Sequence, residues 1–106
     1  MHNSTLSHYT YSHVLNFNVL KIGKLTLIDS GRYVKCEDLA NTILPDEYIP
    51  FHDVIYLPCV YTHTDYATYP GLLCIDKGVI SILAVGNSRT EGWVSVCGCF
   101  LNKDVS

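Results

Sequence analysis

The sequence has few charged residues, and its positive charges are not clustered. Only 16% of its 106 residues are Asp, Glu, Lys or Arg, and seven basic residues against ten acidic ones give a formal net charge of −3. Proteins that bind nucleic acids usually collect Lys and Arg into a stripe or patch that neutralises phosphates. Because these basic residues are spread thinly along the chain, we expect no nucleic acid among its partners.

Long apolar runs are also missing. No segment reaches the roughly eighteen consecutive apolar residues of a membrane-spanning helix, so no membrane span is predicted. The start, MHNSTLSHYTYSH, has neither the charged region nor the apolar region of a secretory signal peptide. We interpret residues 1–13 as a flexible lead-in or linker. Residues 14–106 are then the single domain that a chain of this length predicts.

The cysteines show no paired pattern. There are five of them, Cys36, Cys59, Cys74, Cys97 and Cys99. An odd number without a signal peptide favours free thiols in a chain made in a reducing cytoplasm. One residue separates Cys97 from Cys99, and no second pair completes the four ligands of a structural zinc site. The sequence therefore predicts no metal and no cofactor.

What the chain does contain is a series of short apolar segments separated by turns. The predicted strands cover residues 14–20, 24–28, 32–36, 51–60, 71–76, 79–85 and 93–101, and the one predicted helix covers residues 37–44. Asp76-Lys77-Gly78 lies between two of these strands and indicates a tight hairpin. Short strands with regularly spaced turns are typical of all-β folds. We predict a small antiparallel β-sandwich, similar to a jelly roll.

The last predicted strand is apolar on both faces. One face carries Trp93, Ser95, Cys97 and Cys99, and the other carries Val94, Val96 and Phe100. We expect Trp93 to belong to the core, as tryptophan in a strand commonly does. An antiparallel sheet usually keeps one face in water. The second apolar face therefore needs a cover, and packing between identical subunits is the simplest one.

Four segments, in this order, resemble a known family. They are NFNVLKIGKLTLIDSGRYV, LPDEYIPFHDVIYLPC, GLLCIDKGVISIL and GWVSVCGCFL. In the second segment Leu44, Pro45, Tyr48 and Pro50 match a leucine-proline, two residues, tyrosine, one residue, proline pattern. Together the segments span nearly the whole chain and resemble the C-terminal receptor-binding head domains of bacteriophage tail-fibre and baseplate proteins.

The resemblance implies a function as well as a fold. Such head domains are β-sandwiches that form homotrimers and bind polysaccharide on the bacterial cell surface without catalysis. By this resemblance the chain is expected at the tip of a virion tail fibre or baseplate after synthesis in the host cytoplasm. An upstream fibre shaft is a further expected partner.

A segment rich in tyrosine is the candidate binding site. YTHTDYATYP, residues 61–70, offers aromatic rings that can stack on sugar faces beside polar groups that can bond sugar hydroxyls. A second predicted loop, residues 86–92, is expected at the same end of the domain. The predicted ligand-binding residues are Tyr61, His63, Asp65, Tyr66, Tyr69, Asn87 and Arg89.

Two other functions are compatible with the sequence. The chain can be a trimerisation or assembly cap of a fibre that binds no receptor. It can also be a small cysteine hydrolase in which Cys59 or Cys74 acts with His52 or His63. No local sequence signature supports either cysteine–histidine pair, so no enzyme is predicted.

Overall fold

The computed structural model describes residues 9–12 and 17–105, in which short strands follow one another along the chain. The strands are β1 (Tyr9–Ser12), β2 (Asn18–Ile22), β3 (Leu25–Asp29), β4 (Val34–Lys35), β5 (Val54–Thr62), β6 (Thr68–Asp76), β7 (Val79–Ala84), β8 (Asn87–Ser88) and β9 (Trp93–Leu101). A one-turn helix, α1 (Cys36–Leu39), and two 3-10 turns (Asp46–Tyr48 and Lys103–Val105) complete the elements. No described helix is long and apolar enough to cross a membrane.

All the strands pair antiparallel in one sheet. The order is β1-β2-β3-β9-β5-β6-β7-β8, and β4 pairs with β9 as well. Strand β9 joins the two halves of the sheet, because its residues 97–101 pair with β3 while residues 93–96 pair with β4 and β5. The predicted antiparallel all-β fold is therefore confirmed for the described residues.

The inner face of the sheet carries one continuous core. Alternation along β9 sends Val94, Val96 and Phe100 inward, as expected from a period of two. Val19 and Ile28 from one half of the sheet share this cluster with residues of the other half. That other half contributes Leu57, Tyr61, Leu73, Ile75, Ile80 and Ile82. The two halves thus enclose a common interior, as in a sandwich.

Residues outside the sheet complete the covering of the inner face. Leu39 from α1, Leu44 and Tyr48 are almost completely buried and belong to the core cluster. Leu44 donates its backbone N–H to the carbonyl oxygen of Gly78 at 2.8 Å. This hydrogen bond ties the segment between α1 and the first 3-10 turn to the β6–β7 hairpin.

The predicted helix over residues 37–44 is wrong beyond its first turn. Asn41 has a φ of 65° and donates its N–H to the carbonyl of Ile80. The N–H of Ile80 in turn donates to the carbonyl of Thr42. Backbone groups that would continue the helix therefore bond to β7, and Ile43 forms a β-bridge with Val79. A single helical turn is only marginally stable alone. Hydrogen bonds to the edge of β7 therefore satisfy these backbone groups better than a longer helix would.

Other boundaries also differ from the sequence prediction. β5 continues to Thr62 and β6 begins at Thr68, so the predicted loop 61–70 shrinks to residues 63–67. β8 forms inside the predicted loop 86–92, and the strand predicted over 32–36 shortens to β4. Within the predicted lead-in, Tyr9–Ser12 pair with β2. The remainder of residues 1–13 lies outside the described residues.

Gly92 fixes how closely the chain returns to the end of β5. Its φ is +89°, and a Cβ atom there would overlap the carbonyl oxygen of Thr62 and lie 3.0 Å from the Tyr61 hydroxyl oxygen. Only glycine combines this conformation with this approach. Gly92 therefore allows the segment before β9 to pack directly on the start of the loop 63–67.

We predict that Gly92→Ala is much more destabilising than Gly86→Ala. Gly86 also has a positive φ, +78°, but nothing lies within 4 Å of its added Cβ. Gly86→Ala should lower the free energy of unfolding by about 1–2 kcal/mol from backbone strain alone. Gly92→Ala should cost about 1–3 kcal/mol more because of overpacking. Urea denaturation of both variants measures the difference, and equal losses would contradict the packing role of Gly92.

Candidate functional site

The loop between β5 and β6 is held by its own hydrogen bonds. His63 donates its N–H to the carbonyl of Ala67, and Tyr66 donates its N–H to the carbonyl of His63, both at 2.8 Å. The Oδ1 atom of Asp65 accepts the N–H of Ala67 at 2.9 Å. Tyr66 adopts a φ of 67° in this turn. Asp65 therefore stabilises the loop conformation. Only the acceptor sites of its carboxylate that Ala67 does not use are available to solvent.

Tyr66 forms the most exposed aromatic surface of the site. Its side chain is 77% exposed, and its ring stacks on Trp93 with centroids 5.8 Å apart and planes 11° from parallel. Trp93 lies opposite Thr62 in the β5–β9 ladder and is half-buried. The expectation that Trp93 belongs to the core is therefore wrong, since it forms an open platform with Tyr66.

Tyr61 is not part of the exposed loop. It lies in β5 and is fully buried. Its hydroxyl oxygen lies 2.9 Å from Nδ1 of His63 and donates its proton to the carbonyl oxygen of Glu91, also at 2.9 Å. Burial raises the pKa of this hydroxyl. Tyr61 cannot offer a ring face to a ligand. The sequence analysis placed Tyr61 in an exposed loop because the residues that follow it are polar.

Arg89 is held against the buried Tyr61. Its guanidinium carbon lies 5.7 Å from the centroid of the Tyr61 ring, within the range of a cation–π contact. Its Nε atom donates to the carbonyl of Ala84 at 2.9 Å, and its backbone N–H donates to Ile82. Arg89 and His63 are thus brought to the same buried ring, although 26 positions separate them in the sequence.

The remaining predicted site residues lie apart from the stacked pair. Tyr69 pairs with Tyr61 across the β5–β6 ladder and is 36% exposed. Asn87 lies in β8 and borders a different groove, which Pro58 and Leu72 also line. The structure therefore brings Tyr66, Trp93, His63 and Arg89 to one end of the sheet and leaves Asn87 outside that group.

Two clefts border the stacked pair, and Trp93 lines both. One, of about 400 Å³, runs along Arg32, Tyr33, Val34, Lys35, Glu37, Asp38 and Trp93. The other, of about 220 Å³, runs along Lys35, Glu37, Thr64, Thr90, Glu91, Gly92 and Trp93. The sequence analysis missed the polar residues of these clefts. The pairing of β4 with β9 brings Lys35 next to the tryptophan, and Thr90 and Glu91 closely precede it in the sequence.

Two of the buried cysteines, Cys36 and Cys59, are poorly suited to nucleophilic catalysis. Burial raises the pKa of Cys59 to about 11, and burial with the nearby Cys59 raises that of Cys36 to about 11. Such thiols stay protonated at neutral pH, whereas a nucleophile needs the thiolate. The described part of the chain also holds no cluster of three His, Cys, Asp or Glu side chains that could bind a metal.

No family model matches the chain, and no curated protein matches it either. The similarity to phage head domains noted in the sequence therefore stays a prediction.

We predict that Tyr66→Ala shifts the fluorescence of Trp93 to longer wavelength. Trp93 is the only tryptophan, and removal of the stacked ring exposes it to water. Loss of the aromatic pair should also lower the free energy of unfolding by about 0.5–1.5 kcal/mol. Tyr69→Ala is the control, because it removes a nearby ring that does not stack on Trp93. An unchanged emission spectrum in Tyr66→Ala would show that the two rings do not stack.

Proposed function

We propose that this protein is a non-catalytic host-recognition domain of a phage tail fibre or baseplate, which binds bacterial surface saccharide as a homotrimer. The observation that supports the proposal is the stacking of the exposed Tyr66 ring on the half-buried Trp93, which lines two clefts that contain polar residues. Aromatic faces pack against the C–H faces of sugar rings, while polar groups at their edges bond the hydroxyls. The aromatic pair and the polar cleft residues beside it bring both kinds of group to one end of the sheet.

The polar groups around the pair suit a ligand with many hydroxyls. Glu37 and Glu91 offer carboxylate acceptors, Lys35 offers a donor, and Thr64 and Thr90 offer groups that do both. Lys35 and Glu37 form only a distant ion pair at 4.0 Å, and both side chains are well exposed. Their hydrogen-bonding capacity is therefore available to a ligand. Open clefts of this kind bind weakly one at a time, and several copies on one particle supply avidity.

The outer face of the sheet supports the proposed association of identical copies. This face is apolar and exposed at Ile22, Leu25, Val54, Tyr56, Val60, Leu72 and Leu101, and it also carries the exposed Cys97 and Cys99. Cross-strand pairs such as Leu25–Leu101 in one half of the sheet and Leu72–Leu83 in the other bring apolar side chains together within each half. Large exposed apolar patches mark interaction surfaces. Identical copies are the partners that the expected fibre architecture provides.

The outer face by itself equally supports the assembly cap, which would trimerise without binding a receptor. The two functions differ at Tyr66 and Trp93, because a cap has no use for an exposed aromatic platform. The cysteine hydrolase is the weaker alternative, since the raised pKa of Cys59 opposes thiolate formation.

We predict that Tyr66→Ala and Trp93→Ala each weaken binding to an array of bacterial surface polysaccharides. A stacking contact worth about 1.4 kcal/mol corresponds to roughly tenfold in a single-site dissociation constant. Phe51→Ala is the control, because Phe51 is an exposed aromatic residue that contacts His52 away from the site. The native protein failing to bind any polysaccharide, or all three variants binding alike, would contradict the proposed site. Retained trimerisation without binding would support the assembly cap.

We predict that Leu72→Glu separates the trimer into monomers without unfolding them. Leu72 is 42% exposed on β6 in the outer face, so a carboxylate there costs little in the monomer and is buried uncompensated in an interface. Ile43→Glu is the control, since Ile43 is 68% exposed but lies outside the strands. Light scattering measures the mass of both variants, and circular dichroism shows whether they remain folded. Equal masses for the two variants would place the interface elsewhere.

A further inference from the structure

The Tyr61 hydroxyl makes two hydrogen bonds with only one proton. Its oxygen lies 2.9 Å from the carbonyl oxygen of Glu91 and 2.9 Å from Nδ1 of His63. A carbonyl oxygen can only accept a hydrogen bond. The Tyr61 proton must therefore point to Glu91, and burial keeps that proton in place because it raises the pKa of the hydroxyl.

This arrangement fixes which ring nitrogen of His63 carries the proton when the imidazole is neutral. Since the Tyr61 proton is committed to Glu91, the Tyr61 oxygen can only accept from His63, and Nδ1 must carry a proton. In a neutral imidazole one ring nitrogen is a donor and the other an acceptor. Nε2, on the side of the ring away from Tyr61, therefore keeps its lone pair.

We propose that Nε2 of His63 is a fixed hydrogen-bond acceptor for a hydroxyl group of the saccharide; this role rests on the proposed function. His63 lines a cleft of about 160 Å³ together with Tyr61, Ser88, Arg89, Thr90 and Glu91. Thr90 and Glu91 also line the cleft beside Trp93. The two clefts are therefore adjacent, and one oligosaccharide can stack on the aromatic pair and reach His63.

Arg89 supplies the complementary donor in the same cleft. Its Nε bonds the carbonyl of Ala84, and its guanidinium is held over the Tyr61 ring. The guanidinium has five N–H donors in a fixed plane. Within the described residues, the Arg89 side chain makes one hydrogen bond, to the backbone carbonyl of Ala84. A hydroxyl that donates to Nε2 of His63 can accept from Arg89. This pair of groups selects a hydroxyl, which does both, over a ligand that can only accept.

The tautomer can be read without any ligand. Long-range ¹⁵N–¹H correlation spectra of the native ¹⁵N-labelled protein at neutral pH should show a protonated Nδ1 and an unprotonated Nε2 for His63, with the signal assigned by its loss in His63→Gln. Tyr61→Phe removes the acceptor and should release this preference, whereas Tyr69→Phe, which alters the cross-strand neighbour, should keep it. An Nε2–H tautomer in the native protein would overturn the inference.

Binding to the same polysaccharide array then tests the role of Nε2. His63→Gln, whose amide oxygen reaches a similar position and accepts a hydrogen bond, should retain binding. His63→Leu, which has no acceptor, should weaken binding by roughly tenfold. Equal binding by the native protein and His63→Leu would overturn the role of Nε2. The predicted tautomer without any binding would instead overturn the proposed function.

Discussion

The structure depends on one constraint, which is that a chain of this length builds a wide sheet but covers only one of its faces. Leu39, Leu44 and Tyr48 lie outside the sheet and complete its inner core. The outer face stays exposed, with apolar side chains on both halves. Small domains bury a limited share of their surface. The proposed association of identical copies would remove this apolar area from water and add stability by mass action.

Strand β9 connects this constraint to the site. It pairs with both halves of the sheet and alternates Val94 and Val96 inward with Cys97 and Cys99 outward. Trp93 at its start lies at the end of the sheet beside the loop 63–67, and Gly92 allows the close approach that places it there. The strand that organises the core therefore also positions the aromatic platform, and its pairing with β4 places Lys35 beside Trp93.

The sequence predicted the fold class better than the site. Period-two alternation and the Asp76-Lys77-Gly78 turn identified the antiparallel strands because those signals are local. Tyr61 was expected in an exposed loop and is buried, whereas Trp93 was expected in the core and is half-buried. Burial depends on which strands become neighbours and not on the polarity of adjacent residues. The segment after α1 was misread for a similar reason, because its backbone partners lie on β7. Long-range pairing is the part of the structure that a single sequence leaves open.

The central proposal is that the outer face is covered by identical copies. Sedimentation equilibrium of the native protein over a wide concentration range tests it most directly, because the mass is obtained without assumptions about shape. The proposal predicts a species of three times the chain mass of 11.9 kDa. A single species of 11.9 kDa at every concentration would contradict it.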